Sequence, residues 1–496
     1  MPARTWKLAV ASALLHSSLG LARYNDVCSR IATSLSASSA LHSPGNDSFT
    51  KLSSHWTSSS DESPACVAEP RTTDDVAKIL KIVAKTRTPF AVQGAGHATN
   101  RGFSSTEGVH ISTQGFTSVE YNDTKKTVTF GAGLTWDKVY EALEPHGVNV
   151  AGGRAPGVGV GGLILGGGYS WHTNQYGLTI DTVEAFELVK PNGEAVEVTH
   201  ESDPELFFAL KGGGNNFGVV TKFTMKTFPQ GKIWGGMITY GHPDTFAAVT
   251  AATAKFSAEV TDPKASLLST VTFYQGMPLI NIQLFYDGPE PPAGIFDDFL
   301  KTESAASTVA TQTFSSMINN VPAGALHGVR GAFLGFAAPA YSLDFLNAVN
   351  EQAFTNGAEF TNSSLVFLTL VSEPFLQDIL SHNKHDTAYP FNRAEMYTPF
   401  NIFIAWADPS KDEWYKQEIE KIRDVLQAKL IEEGYEGVTT APVYSNYALW
   451  DAPAERLYGS NLPKLQEIKR KVDPEDVMGL AGGFKITPKA MIRDEL

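Results

Sequence analysis

The period of apolar and polar positions changes several times along this chain, and each change marks an element. An apolar run from Leu8 to Leu15 follows Arg4 and Lys7 and precedes small residues near Gly20–Ala22. That pattern predicts a secretory leader over residues 1–22, too short to span a bilayer. Residues 30–65 are rich in Ser, Thr, Asn and Asp, and 23–62 read as an irregular N-terminal arm. Thr72 or Thr73 then caps a helix with Asp74 and Asp75 in its first turn and Val76, Ile79, Leu80 and Val83 on one face. Strands follow at 89–93 and 109–112, a hairpin over 118–131 turning at Asn122-Asp123, and a short helix over 135–143. A second hairpin joins 185–189 to 195–199 around Asn192-Gly193, a strong turn pair. A short helix over 203–210 leads into KGGGNNFGVVTKFTMKTFP, a glycine turn and an alternating strand.

The middle of the chain reads differently. Residues 266–286 carry two strands around Gly276-Met277-Pro278, and 365–371 and 400–406 are further strands. Helical stretches such as 342–354 lie between them, and an amphipathic helix over 411–433 ends at Gly434. The expected fold class is α+β, in two domains. Residues 63–230 form one domain, and 231–443 a second with an antiparallel sheet backed by helices. The tail, 444–496, holds an aromatic cluster and a helix over 461–471.

Composition narrows the partners. The 496 residues are 42% hydrophobic and 19% charged, the make-up of a globular protein. A net charge of −14 disfavours nucleic acid and anionic membrane. Small molecules are the expected partners, with the protein a monomer or weak dimer. The two cysteines, Cys28 and Cys66, are expected to form one disulfide in an oxidising compartment; two buried thiols are the other reading. They are too few for a zinc site. Sequons at Asn46, Asn122 and Asn362 agree with a secretory route. The final Arg493-Asp494-Glu495-Leu496 resembles an ER-retrieval tail, so retention competes with secretion.

Two glycine-rich loops carry the candidate chemistry. PFAVQGAGHATNRG at 89–102 places His97 in a glycine-bracketed loop after a strand, and GGRAPGVGVGGLILGGG occupies 152–168. Such loops lay backbone amides against a phosphate-bearing cofactor. GVGVGG at 157–162 matches the G-x-G-x-x-G of nicotinamide cofactors, and Asp181 stands near the expected acidic position. Pro156 before it and Gly166, Gly167 and Gly168 after it disfavour the helix that motif needs, so an extended loop is expected.

Four segments together, PFAVQGAGHATNRG, GGRAPGVGVGGLILGGGYSWHTNQYGLTID, DPELFFALKGGGNNFGVVTKF and YSNYALW…RLYGSNLPKLQEIKRKVDP, resemble the berberine bridge enzyme-like FAD-linked oxidases of the vanillyl-alcohol oxidase superfamily. The resemblance covers almost all of the chain after the leader, in order. It implies a discontinuous PCMH-type FAD-binding domain made of the first and last segments, with the middle domain as a substrate roof. It further implies FAD bonded through its 8α-methyl group to His97, which raises the flavin's redox potential. Gln93, Gly94, Ala95, Gly96, Ala98 and Asn100 would cradle the pyrophosphate. Gly157, Val158, Gly159, Gly161 and Gly162 would run along the ring system. Asp181, Val219 and Val220 would pack at its side, and Asn446 would bond its edge.

The chain departs from the family in two places. Where many members carry a second, cysteine-linked attachment, this chain has Ala155, so one covalent bond is expected, and with it a smaller or more enclosed substrate. Ala98 and Gln93 stand where serine and a basic residue are frequent. Val158, at the family's oxygen gate, implies an oxidase rather than a dehydrogenase. Tyr444 and Tyr447 are the catalytic candidates. A tyrosinate would accept the alcohol proton and would need a positive or hydrogen-bonding neighbour, since free tyrosine has a pKa near 10. Glu395, Tyr397 and His382 are lesser candidates, and His172 reads as structural. The implied reaction takes hydride from an alcohol, amine, carbohydrate or secondary metabolite, with O2 as acceptor giving hydrogen peroxide. The alternatives are a non-oxygen acceptor or an oxidative cyclisation.

Overall fold

The computed structural model describes residues 24–321, 328–393 and 397–488. The expected leader, the Arg493–Leu496 tail and Glu395 lie outside the described residues. Among those residues no helix is long and apolar enough to cross a membrane.

The N-terminal arm departs from the expected irregular chain. Residues 24–34 are helical, because Val27, Cys28 and Ile31 bury one face among polar neighbours that hide the period. Strand Ala40–His42 and helix Asp47–Ser53 follow, and Asn46 caps that helix by accepting from the Ser48 amide at 2.7 Å. Cys28 and Cys66 form a disulfide. Asp75, in the first turn of the capped helix Thr73–Thr86, binds Ser36 and Ser39 of the arm. All three sequon asparagines are exposed.

Strands Ala40–His42, Cys66–Glu69, Val109–Ser112 and Phe90–Gln93 lie side by side in that order, the last three parallel. A five-stranded antiparallel sheet stands beside it, ordered Val119–Asn122, Thr127–Gly131, Val219–Lys226, Val183–Val189 and Ala195–Val198. Both expected hairpins are present there. Helices Trp136–Leu143 and Pro204–Leu210 also occur as expected, the second capped by the Asp203 carboxylate.

The middle domain is built on antiparallel strands ordered Ala306–Ser307, Ile233–Tyr240, Met277–Tyr286, Ala265–Tyr274, Leu365–Ser372, Thr398–Trp406 and Arg330–Ala338. Helices Pro243–Glu259, Leu343–Phe360 and Asp412–Glu432 back one face of it. Three of these elements are not evident from the pattern: helix Pro243–Glu259 and strands Ile233–Tyr240 and Arg330–Ala338. Gly235-Gly236 weakens the strand signal in the first strand, yet a Cβ on either would strike the backbone of Leu284 or Thr308 at 2.4–2.5 Å.

The glycine-rich stretch also corrects the expectation. Val160–Gly166 is a two-turn helix rather than an extended loop. Val160 and Ile164, four residues apart, are fully buried on one face, and that packing outweighs the glycine penalty of about 1 kcal/mol per position. Gly167 and Gly168, at φ 126° and 83°, end it. The element is still no nicotinamide motif, because only a two-residue strand, Val148–Asn149, precedes it.

Candidate active site

His97 sits in the loop leaving strand Phe90–Gln93. Gly96 turns this loop at φ 69°, and a Cβ there would stand 2.3 Å from Gln93 Nε2. The Gln93 side chain is spent on the fold. Its amide donates to Ser54 O at 2.7 Å and its Oε1 pairs with His110 Nε2 at 2.6 Å. Burial pushes the His110 imidazole down to about 3, so it is the neutral partner in that pair. Asn100 Nδ2 reaches the carbonyl of Ala448, 348 residues away, at 2.8 Å. Gln93 and Asn100 therefore hold the loop with their side chains and do not offer them to a phosphate.

What the loop does offer is backbone. Among the described residues, the amides of Gly94, Ala95, Gly96 and Ala98 meet no hydrogen-bond acceptor. Successive free amides around a left-handed glycine form an anion-binding nest. The second loop closes on it. Gly152 and Gly153 pack on the Trp136 ring, Tyr140 donates to Gly153 O at 2.7 Å, and the Gly157 amide donates to Asp137 at 2.9 Å. A Cβ on Gly159 would lie 3.0 Å from the Ala95 nitrogen, so the loops touch there. Gly161 and Gly162 differ, since a Cβ would meet only Ala132 O at 3.9 Å on the first and nothing on the second. Nothing in the chain's own packing requires glycine at these two positions. The bare backbone leaves room there for a flat partner, and Val158 stands half-exposed beside it.

The C-terminal segment returns over this pair of loops. Asn446 Nδ2 donates to Tyr444 Oη at 2.8 Å and to Leu163 O at 3.4 Å. Its carboxamide occupies the space a side chain on Gly166 would need, 2.5 Å from the ideal Cβ. Tyr447 Oη donates to Glu373 Oε1 at 3.2 Å, and Arg154 Nη2 approaches the same hydroxyl at 3.4 Å. Arg154 Nη2 also lies 2.6 Å from Glu373 Oε2, at an angle that makes this an ion pair rather than an aligned hydrogen bond. Glu373 is 1% exposed.

Burial raises the Glu373 carboxyl above its ordinary range, against the pull of Arg154. Burial also pushes Tyr444 up to about 12, and burial with the Glu373 charge pushes Tyr447 well above its usual value. Neither tyrosine rests as a tyrosinate. Asn446 and Arg154 both favour the Tyr444 anion, so Tyr444 keeps the hydrogen-bonding neighbour that role needs, while Tyr447 has a proton acceptor in Glu373 and a cation in Arg154.

The sequence gives little sign of Glu373 or Arg154. The one signal is local: Glu373 ends the apolar strand run Leu365–Ser372, where a charge is unexpected. Other expected residues stand elsewhere. Asp181 pairs with Arg393 at 3.1 Å and caps the Leu178 amide at 3.0 Å, a structural use. Val219 and Val220 are enclosed in two separate cores. His172 is buried against Phe285 and Phe314, and His382 packs on Gly177. Tyr397 packs against Phe391. Among the described residues, no group of three His, Cys, Asp or Glu side chains is placed to hold a metal ion.

Comparison with known proteins shows the family of the segments that build this site. Residues 64–199 match the FAD binding domain model, and 443–481 the model named berberine and berberine like. An FAD-dependent monooxygenase, tpcD, of Cochliobolus heterostrophus is 30% identical over 447 residues, 85% of each chain. An uncharacterized FAD-linked oxidoreductase of Arthroderma benhamiae is 38% identical over 258 residues, and the match spans only 51% of that relative. The xylooligosaccharide oxidase of Myceliophthora thermophila superposes with a TM-score of 0.75 at 17% identity, over 93% of this chain and 99% of the other. The nest and the open glycine backbone thus fit a flavin dinucleotide.

Proposed function

Since the chain belongs to the berberine bridge enzyme-like FAD-dependent oxidoreductases, we propose that it is an oxidase whose flavin is tethered once, through His97. The carrying observation is the chain Tyr447–Glu373–Arg154, centred on the buried Glu373, which rises from the same glycine loop that touches the His97 loop. When bound, FAD would supply the acceptor for a substrate's hydride, with O2 as the final acceptor and hydrogen peroxide as the product. The protein's own part is the proton. Tyr447 Oη takes it from the substrate's hydroxyl or amine and passes its own to Glu373, so no free tyrosinate accumulates. Arg154 opposes the rise that burial causes in Glu373 and so favours the carboxylate that accepts this proton. Gly94, Ala95, Gly96 and Ala98 amides would hold the pyrophosphate, and Asn446 would bond the ring edge. Ala155 offers no thiol for a second tether, and Val158 leaves room for O2. Tyr444 positions Asn446 through its hydroxyl and walls the site.

Acid denaturation of the purified protein tests the tether. Yellow flavin is expected to stay with the wild-type chain and to leave His97→Ala, and it should stay with Ala155→Cys. Release of all flavin from the wild type refutes the single bond. The name of the tpcD relative favours a second reading, monooxygenation. Under 18O2, label in the product with no peroxide supports that reading, and stoichiometric peroxide with unlabelled product supports the oxidase. The leader, the three sequons and the Arg493–Leu496 tail further support passage through the secretory pathway; mapping of the mature N-terminus and glycans checks it.

A further inference from the structure

We infer that the open face of the antiparallel sheet is a specificity subsite for a planar, hydroxylated aromatic ring, with Asn401 receiving the hydroxyl. The inference rests on the oxidase reading for the chemistry it serves.

Residues alternate across the three strands involved. Leu368, Leu370, Ile402, Ile404, Leu334 and Phe336 point to the helices and are buried there. The other face holds a separate apolar cluster, with Phe403 and Phe333 opposite each other in register and Phe367 beside them. The Phe333 and Phe403 ring centres are 4.5 Å apart, and those of Phe367 and Phe403 5.4 Å. Trp56, from the N-terminal arm, lies 5.9 Å from Phe333 with planes only 11° apart, and stacks on His97 at 4.2 Å. Phe333, Phe367 and Trp56 remain half-exposed. A floor of flat apolar rings therefore begins at the tethering histidine.

The next row inward is Val371–Asn401–Gly335, paired across the same strands. Asn401 is 5% exposed, and its Oδ1 has no hydrogen-bond partner among the described residues. A buried carbonyl left unpaired is a standing cost, removed when a ligand supplies the donor. Gly335 opens this row to the catalytic tyrosine: a Cβ there would stand 2.7 Å from Tyr447 Cβ. A hydroxyl received by Asn401 is therefore beside Tyr447.

The same rows argue against a sugar. Across the three strands they offer Thr369 and Asn401 as polar groups and no charge. A sugar carries a hydroxyl on nearly every carbon, and these rows offer partners to few of them. A phenolic ring brings one hydroxyl and a flat apolar body, which matches one acceptor and four rings.

The test titrates the holoenzyme with 2-naphthol and naphthalene, read by the ligands' own fluorescence. 2-Naphthol is expected to bind about tenfold more tightly than naphthalene, the scale of one hydrogen bond to an otherwise unpaired acceptor. Asn401→Leu should abolish that preference and leave naphthalene binding in place. Phe333→Ala should weaken both ligands about fivefold or more, the scale of a lost ring contact. Xylobiose should displace neither. If Asn401→Leu does not fold, 2-methoxynaphthalene, which lacks the donor, should bind the wild type no better than naphthalene. Displacement by xylobiose, a hydroxyl preference that survives Asn401→Leu, or no saturable binding would each overturn the subsite. Because this readout needs neither turnover nor a covalent flavin, its failure is separable from failure of the oxidase reading.

Discussion

Replacing Glu373 with leucine is expected to damage the protein twice, in stability and in proton transfer. The Arg154–Glu373 contact of 2.6 Å is worth about 6 kcal/mol of attraction at an effective dielectric of ~20. Burying two charges costs several kcal/mol per ion, so most of that attraction is already spent. Removing Glu373 alone leaves the Arg154 charge uncompensated, a loss of about 3–5 kcal/mol. Arg154→Met should cost a similar amount, because Glu373 is then the stranded ion. The double variant Arg154→Met/Glu373→Leu removes both charges and should return to within about 1–2 kcal/mol of wild type. Urea unfolding followed by flavin release and tryptophan fluorescence measures the cycle. Additive losses in the double variant would refute a coupled buried pair. Activity separates from stability here. The double variant should fold yet lose about 10²–10⁴-fold in kcat, because Tyr447 has no acceptor, and Glu373→Gln should lose as much. The wild-type rate should fall as pH drops through the raised Glu373 pKa, so the acid limb lies above the ordinary carboxylate range. An acid limb at the same pH in Glu373→Gln would assign it to another group.

Two further outcomes follow from the packing. Gly159→Val should drive the two loops apart, because even a Cβ stands 3.0 Å from the Ala95 nitrogen; the flavin absorbance per chain of the purified protein should drop while far-UV circular dichroism is kept. Burial pushes the Lys211 ammonium down to about 8 from 10.5, so the unfolded chain binds more protons between those values and the fold gains stability as pH rises through them. Lys211→Met should therefore be more stable than wild type at pH 7, by up to about 3 kcal/mol, with the gap closing toward pH 10.5; a gap independent of pH would show that Lys211 is not the cause.

The FAD-binding half is legible because its signals are local. Thr72 caps its helix and Asp203 its own, Asn192-Gly193 turns a hairpin, and Gly96 brackets His97. The two-turn helix at Val160–Gly166 is missed because tertiary burial of two residues overrides a poor local propensity. The site's polar half is missed for another reason. Arg154, Glu373 and Tyr447 lie on three distant segments, and only strand register and the returning tail bring them together. Asn401 has no signal at all in a run of apolar neighbours, and only the alternation of its strand shows where it faces.

The bond from Asn100 to the Ala448 carbonyl has a consequence for biosynthesis. The histidine loop leaves the ribosome 348 residues before the segment that braces it. At about 5–20 residues per second, that interval lasts roughly 17 to 70 s. Through all of it Tyr447 does not exist beside Glu373, the loop lacks its brace, and the core under the parallel sheet still lacks Val477, Met478 and Ala481. The glycine loops are made early, whereas the finished reaction chamber is an event of the last stretch of translation.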